Sequence, residues 1–156
     1  MSGAPGAAIV LVEPLIPGNT GSIGRTCVAL GLDLCLVHPL GFDLSERSVR
    51  RAGLDYWRHV RLHEYSDWDD FLARRAPRPE ALLPFEDDAP RSAYDHHYPA
   101  DAHLVFGTET TGLPAHVLAG REAQALRLPM RPGPIRSLNL ACAATAAAYL
   151  ALRGRL

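Results

Sequence analysis

Apolar residues come in short blocks along this chain, separated by polar stretches rich in Gly and Pro. Ala8–Val12 is wholly apolar and has the length of a buried strand. The next stretch, Glu13-Pro14-Leu15-Ile16-Pro17-Gly18-Asn19-Thr20-Gly21, is loop chemistry throughout. Ser22–Leu30 sets Ile23, Cys27 and Leu30 on one helical face, and Gly31 suits the position that ends a helix. Leu34–Val37 reads as a second strand, stopped by Pro39. The pattern then predicts a helix over Ser45–Ala52, a third strand over His59–Leu62, and a helix opened by Ser66-Asp67-Trp68-Asp69 and running to about Arg75. A fourth strand over Ala81–Leu83 is ended at once by Pro84, and residues 86–102 read as a polar loop. Leu104–Phe106 is a fifth strand, Pro114–Leu118 a short helix and Ala125–Leu128 a sixth strand. Gly133-Pro134 forces a turn, and an alanine-rich helix with Ser137 as its N-cap runs to about Arg153. The opening strand–loop–helix–strand unit predicts an α/β fold, with a mostly parallel sheet, flanking helices and ligands at the carboxyl ends of the strands.

Length and composition narrow the class. The chain has 156 residues, 47% of them hydrophobic, enough for one domain with its own core. Residues 1–7 read as a loose tail and residues 8–156 as that domain. A formal net charge of -1 speaks against binding long nucleic acid by bulk electrostatics and leaves a local basic patch open. Cys27, Cys35 and Cys142 are widely spaced and show no metal-binding spacing. With no signal-peptide pattern and no apolar run of about 18 residues, a cytoplasmic protein with reduced thiols and no membrane segment is expected. His96-His97, near Asp95 and Asp101, lack the further partners that a metal site needs, so no metal is expected.

Candidate chemistry lies in the loops. Asn19, Gly21 and Arg25 form N-x-G-x-x-x-R, which is neither a dinucleotide fingerprint nor a P-loop. Arg25 falls one helical turn beyond the glycine, from where it can reach back over the loop or simply sit in solvent. Arg47, Arg50 and Arg51, followed by Tyr56-Trp57, can grip phosphates and stack on a base, or form an ordinary solvated helix. Gly107-Thr108-Glu109-Thr110-Thr111-Gly112 sets a lone carboxylate at a strand end, where it can accept hydrogen bonds from loop N–H groups or from a partner. Loops 13–25, 107–114 and 129–139 all lie at expected strand ends, which points to one composite pocket.

Together these loops resemble the SPOUT class of RNA ribose methyltransferases. Glu13-Pro14 with Pro17, Asn19-Thr20-Gly21, Ile23 and Arg25 is similar to its first motif. Phe106-Gly107, Glu109 and Gly112-Leu113-Pro114 are similar to its second, and Leu128-Pro129-Met130 with Arg136-Ser137-Leu138-Asn139-Leu140 to its third. Arg50-Arg51-Ala52-Gly53-Leu54-Asp55-Tyr56 is similar to the subgroup that methylates the 2′-hydroxyl of the tRNA wobble nucleotide, C or U. The resemblance spans residues 8–150 and implies a C-terminal trefoil knot, S-adenosylmethionine as cofactor, tRNA bound at its anticodon region, and a homodimer that shares the RNA site.

By the same resemblance, Pro84, Gly107, Leu128 and Ser137 contact the cofactor, Arg25 and Tyr149 are catalytic, and Asn19, Glu109 and Asn139 orient substrate or loops. A guanidinium holds its proton too tightly to act as a base, so Arg25 is expected to anchor phosphate and ribose. Tyr149 is expected to take or relay the hydroxyl proton. Three positions depart from the family's pattern. Pro84-Phe85-Glu86-Asp87 replaces a Thr-rich segment, Ala141-Cys142 replaces Ser-Asn, and Thr111 stands where Arg is common. These departures motivate an alternative, a catalytically weak RNA-binding or assembly protein that keeps the fold.

Overall fold

A computed structural model of the chain describes residues 6–45 and 55–156. Five parallel strands form the central sheet: β1 (Ala8–Val12), β2 (Asp33–Val37), β3 (Leu62–Tyr65), β4 (Leu82–Pro84) and β6 (His103–Phe106), in the order β3-β2-β1-β6-β4. A second, two-stranded parallel sheet pairs β5 (Arg91–Ser92) with β7 (Leu126–Arg127). The helices are α1 (Pro17–Leu30), α2 (Trp68–Arg75), α3 (Ala115–Leu118) and α4 (Leu140–Ala151).

Strand alternation divides the core in two. Ile9, Leu11, Leu34, Leu36, Leu83 and Leu104 face one side, where Ile23 and Cys27 of α1 and Ala144, Ala147 and Ala148 of α4 cover them. Val10, Val12, Cys35, Val37 and Val105 face the other, against Trp68 and Phe71 of α2 and Val117 of α3. The short side chains of α4 bring it close to α1, where the Thr26 and Thr145 hydroxyls meet at 2.7 Å. Burial of Cys27 and Cys35 pushes their thiols up to about 12 and about 11, so both behave as core residues.

Several element boundaries differ from the sequence reading. α1 begins at Pro17, not Ser22, so Asn19, Thr20 and Gly21 are helical. Proline suits the first helical position, because its fixed φ is preorganised and its missing N–H would lack a helical partner there anyway. The third strand lies at Leu62–Tyr65, and His59 belongs to a 3₁₀ turn over Trp57–His59. Pro84 is the last residue of β4, an edge strand in which a missing N–H is tolerated. The sixth expected strand is the two-residue β7, which lies outside the main sheet. Its partner β5 arises within the stretch expected to be a polar loop. α2 is capped by Asp67, which accepts from the Asp70 N–H. α4 is capped by Asn139, not Ser137, and ends at Ala151. The tail is tied down from Gly6 onward: the Gly6 carbonyl accepts from Arg75 and the Ala7 carbonyl from the Asp33 N–H. The expected arginine helix over 45–52 lies almost wholly outside the described residues.

Candidate active site

The order of the central sheet reverses between β1 and β6, and the loops after these two strands meet at their carboxyl ends. Open α/β sheets bind ligands at such a crevice. The Glu109 carboxylate, from the loop after β6, reaches the loop after β1. It accepts from the Leu15 N–H at 2.9 Å and the Ile16 N–H at 3.0 Å, and from Asn19 Nδ2 at 3.4 Å. Ile16 precedes α1, whose first turn has no acidic residue of its own. Glu109 therefore supplies, from 93 residues away, the negative charge and acceptors that a helix start attracts. Asn139 Nδ2 in turn donates to Asn19 Oδ1 at 3.1 Å, while Asn139 Oδ1 accepts from the Ala141 and Cys142 N–H groups. One polar chain, Glu109–Asn19–Asn139, thus ties the three loops together. The start of α4 is thus satisfied through the backbone of Ala141 and Cys142 alone.

Beside this chain is a cavity of about 450 Å³. Gly107, Leu128 and Ser137 line it with Glu109, Phe85 and Glu86, whereas Pro84 does not reach its wall. Gly107 is required by close approach: a Cβ there would run into the backbone of Gly112 and Leu113. Thr108 and Gly112 exchange both backbone hydrogen bonds and close this loop on itself. Glu86 Oε1 accepts from the Leu113 N–H at 2.6 Å and holds the far side of the loop. Burial, opposed by that hydrogen bond and reinforced by Asp88 and Asp87, raises the Glu86 carboxyl above its ordinary range. Phe85 stacks on Phe106 at 5.0 Å, forming an apolar floor. The Glu86 and Phe85 roles were not legible in the sequence, where they register only as a departure from a Thr-rich pattern.

Arg25 lies elsewhere. It is exposed on α1 and lines a separate groove of about 340 Å³ with Val28, Ala29, Asp55 and Tyr56. Tyr149 is 55% exposed on α4 and lines neither space. The two stand on helices that touch through Thr26 and Thr145. Among the described residues no three His, Cys, Asp or Glu side chains gather as a metal site. His96 pairs with Arg91 and Asp101 with Arg78. No helix among the described residues is long and apolar enough to cross a membrane.

The SpoU rRNA methylase family matches residues 6–149. The chain belongs to the SpoU methylase family. It is 45% identical over 133 residues to a tRNA (cytidine(34)-2′-O)-methyltransferase of Burkholderia ambifaria, covering 85% of both chains. It is 42% identical over 145 residues to a putative enzyme of the same name from Synechocystis, covering 93% of this chain and 94% of the relative. A structure described as giving insight into 2-OH methylation of C/U34 on tRNA superposes with a TM-score of 0.85 at 44% identity, covering 97% of both chains. The SpoU methyltransferase AviRb of Streptomyces viridochromogenes, solved with the cofactor AdoMet, superposes with a TM-score of 0.82 at 27% identity, covering 99% of this chain and 60% of AviRb.

Proposed function

We propose that this chain transfers a methyl group from S-adenosylmethionine to the ribose 2′-hydroxyl of the wobble nucleotide, C or U at position 34, of tRNA. The observation that supports this reading is the cavity at the strand ends, lined by Gly107, Leu128 and Ser137 as well as by Glu109 of the Glu109–Asn19–Asn139 chain. Its volume falls within the range of small-molecule sites, and its Phe85–Phe106 floor suits a flat heterocycle. When bound there, S-adenosylmethionine supplies an electrophilic sulfonium methyl group. Gly107, Leu128 and Ser137 would hold it, and Pro84, one residue from the cavity wall, can contribute only its carbonyl.

Arg25 anchors the phosphate and ribose of the target nucleotide, a task that its fixed charge and forked donors suit better than proton removal. Tyr149 is the proton acceptor or relay. The Glu109–Asn19–Asn139 chain keeps the loops in one arrangement, so that the reacting atoms align at roughly 3 Å when substrate arrives. In one chain Arg25 and Tyr149 lie outside the cavity, which favours a homodimer in which two copies complete the site. Leu15, Ile16, Leu138 and Tyr149 are apolar residues left exposed in one chain, as an interface between copies would use. The trefoil knot of the SPOUT class and a cytoplasmic location belong to the same reading.

The test is transfer of labelled methyl from S-adenosylmethionine to tRNA transcripts carrying C or U at position 34. Label is expected in the ribose, and it should vanish when that nucleotide is 2′-deoxy. Tight RNA binding without transfer would favour the alternative of a catalytically weak RNA-binding protein, which the replacement of the Thr-rich segment by Pro84-Phe85-Glu86-Asp87 motivates.

A further inference from the structure

Tyr56 makes two contacts to one turn of α1. Its hydroxyl donates to the Gly21 carbonyl at 2.8 Å, and the Arg25 guanidinium carbon lies 5.5 Å from its ring centroid. Gly21 and Arg25 are four residues apart, so the carbonyl that Tyr56 grips is the one an α-helix pairs with the Arg25 N–H. The neighbouring Trp57 lies against Gly24 so closely that a Cβ at Gly24 would come within 2.6 Å of its ring. Glycine inside a helix costs about 0.5–1 kcal/mol relative to alanine. Here Gly24 leaves the bare helix surface on which the Tyr56-Trp57 segment lies flat.

Arg25 has no carboxylate partner among the ion pairs of the described residues, although Asp55 lines the same groove. An aromatic face attracts a guanidinium without cancelling its charge. A carboxylate would orient it equally well but would compete with a phosphate.

We infer that Tyr56 is a positioning residue for Arg25, holding the guanidinium over its ring with its charge still available to the RNA backbone. This role rests on the reading of Arg25 as the substrate anchor. It differs from the sequence-level idea that Tyr56 stacks on a base, because one face of the ring already holds Arg25.

The test compares tRNA methylation by the full chain carrying Tyr56→Phe, Tyr56→Leu, Arg25→Ala and the Tyr56→Leu/Arg25→Ala pair. A further variant places trifluorophenylalanine at position 56, which keeps the ring's shape and withdraws its π density. Tyr56→Phe should stay close to wild type. The fluorinated ring and Tyr56→Leu should lower kcat/KM for tRNA by about three- to thirtyfold. S-adenosylmethionine affinity, measured by calorimetry, should not change. The double variant should be no slower than Arg25→Ala alone. Equal rates for the phenylalanine and fluorinated variants, or additive losses in the double variant, would overturn the positioning role even if Tyr56→Leu failed to fold. A folded wild type that transfers no methyl group would instead overturn the methyltransferase reading, and the role of Tyr56 with it.

Discussion

The side-chain amide of Asn139 donates to Oδ1 of Asn19 at 3.1 Å, joining residues 120 positions apart. The same Asn139 caps α4 through its own Oδ1. Two substitutions separate these tasks. Asn139→Asp keeps an acceptor for the cap but has no donor for Asn19. Asn139→Ala loses both. Urea unfolding should show Asn139→Ala destabilised by about 0.5–2 kcal/mol, the usual cost of losing an N-cap, with Asn139→Asp closer to wild type. Both should bind S-adenosylmethionine more weakly than wild type in calorimetry. Unchanged binding in Asn139→Asp would show that the link between the loops is not needed.

Glu109→Ala leaves the Leu15 and Ile16 N–H groups without their acceptor at the start of α1. Loss of a partner for such donors costs about 1–3 kcal/mol when they are buried, and less where water can substitute, as at this exposed site. A measurable fall in the urea midpoint is expected, with Glu109→Gln intermediate because one oxygen remains.

Gly107→Ala should act through the loop. Its Cβ meets the backbone of Gly112 and Leu113, which cannot rotate away as a side chain would. Overpacking of this kind costs about 1–3 kcal/mol. Lower thermal stability together with lost cofactor binding is expected. Loss of binding at this position therefore does not by itself report a direct cofactor contact, whereas Ser137→Ala, on an exposed stretch of the cavity wall, gives a cleaner test.

Tyr149→Phe should leave stability within about 0.5 kcal/mol of wild type, since the side chain is 55% exposed. Single-turnover methyl transfer should slow if its hydroxyl handles the proton. An unchanged rate would move that task elsewhere.

At the amino ends of the strands, His103 is fully buried; Arg75 donates to its Nε2 at 3.0 Å, and its Nδ1 lies 2.7 Å from the Asp101 carbonyl. Burial lowers its pKa below the ordinary 6.5; the Asp101 carbonyl opposes this and the Arg75 charge adds to it. The unfolded chain therefore binds this proton more readily than the native one. Stability from neutral His103 is complete above the unfolded value of about 6.5 and is lost as pH falls from there toward the native value. Urea midpoints should drop between pH 7.5 and pH 5, and the drop should be smaller in His103→Gln. Equal slopes in the two proteins would remove His103 as the cause.

The local pattern of the chain determined much of this protein. Ala8–Val12 and Leu34–Val37 are apolar enough to be buried strands in any α/β arrangement, and Gly31, with a φ of 70°, ends α1 where a glycine was expected. The three loop motifs also carried the likeness to methyltransferases, because they hold the residues that gather at the strand ends. Tertiary structure decided the rest. Pro17 suits the first turn of α1 by its own chemistry, but the carboxylate that accepts from the Leu15 and Ile16 N–H groups just before it is Glu109, which no window around residue 17 contains. α4 is capped by Asn139 rather than Ser137, the same residue that reaches across to Asn19. Glu86 and Tyr56 gained their roles only when folding set them against Leu113 and Arg25. Propensity and periodicity act over a few residues, whereas these contacts join segments that only the closed sheet brings within hydrogen-bonding distance.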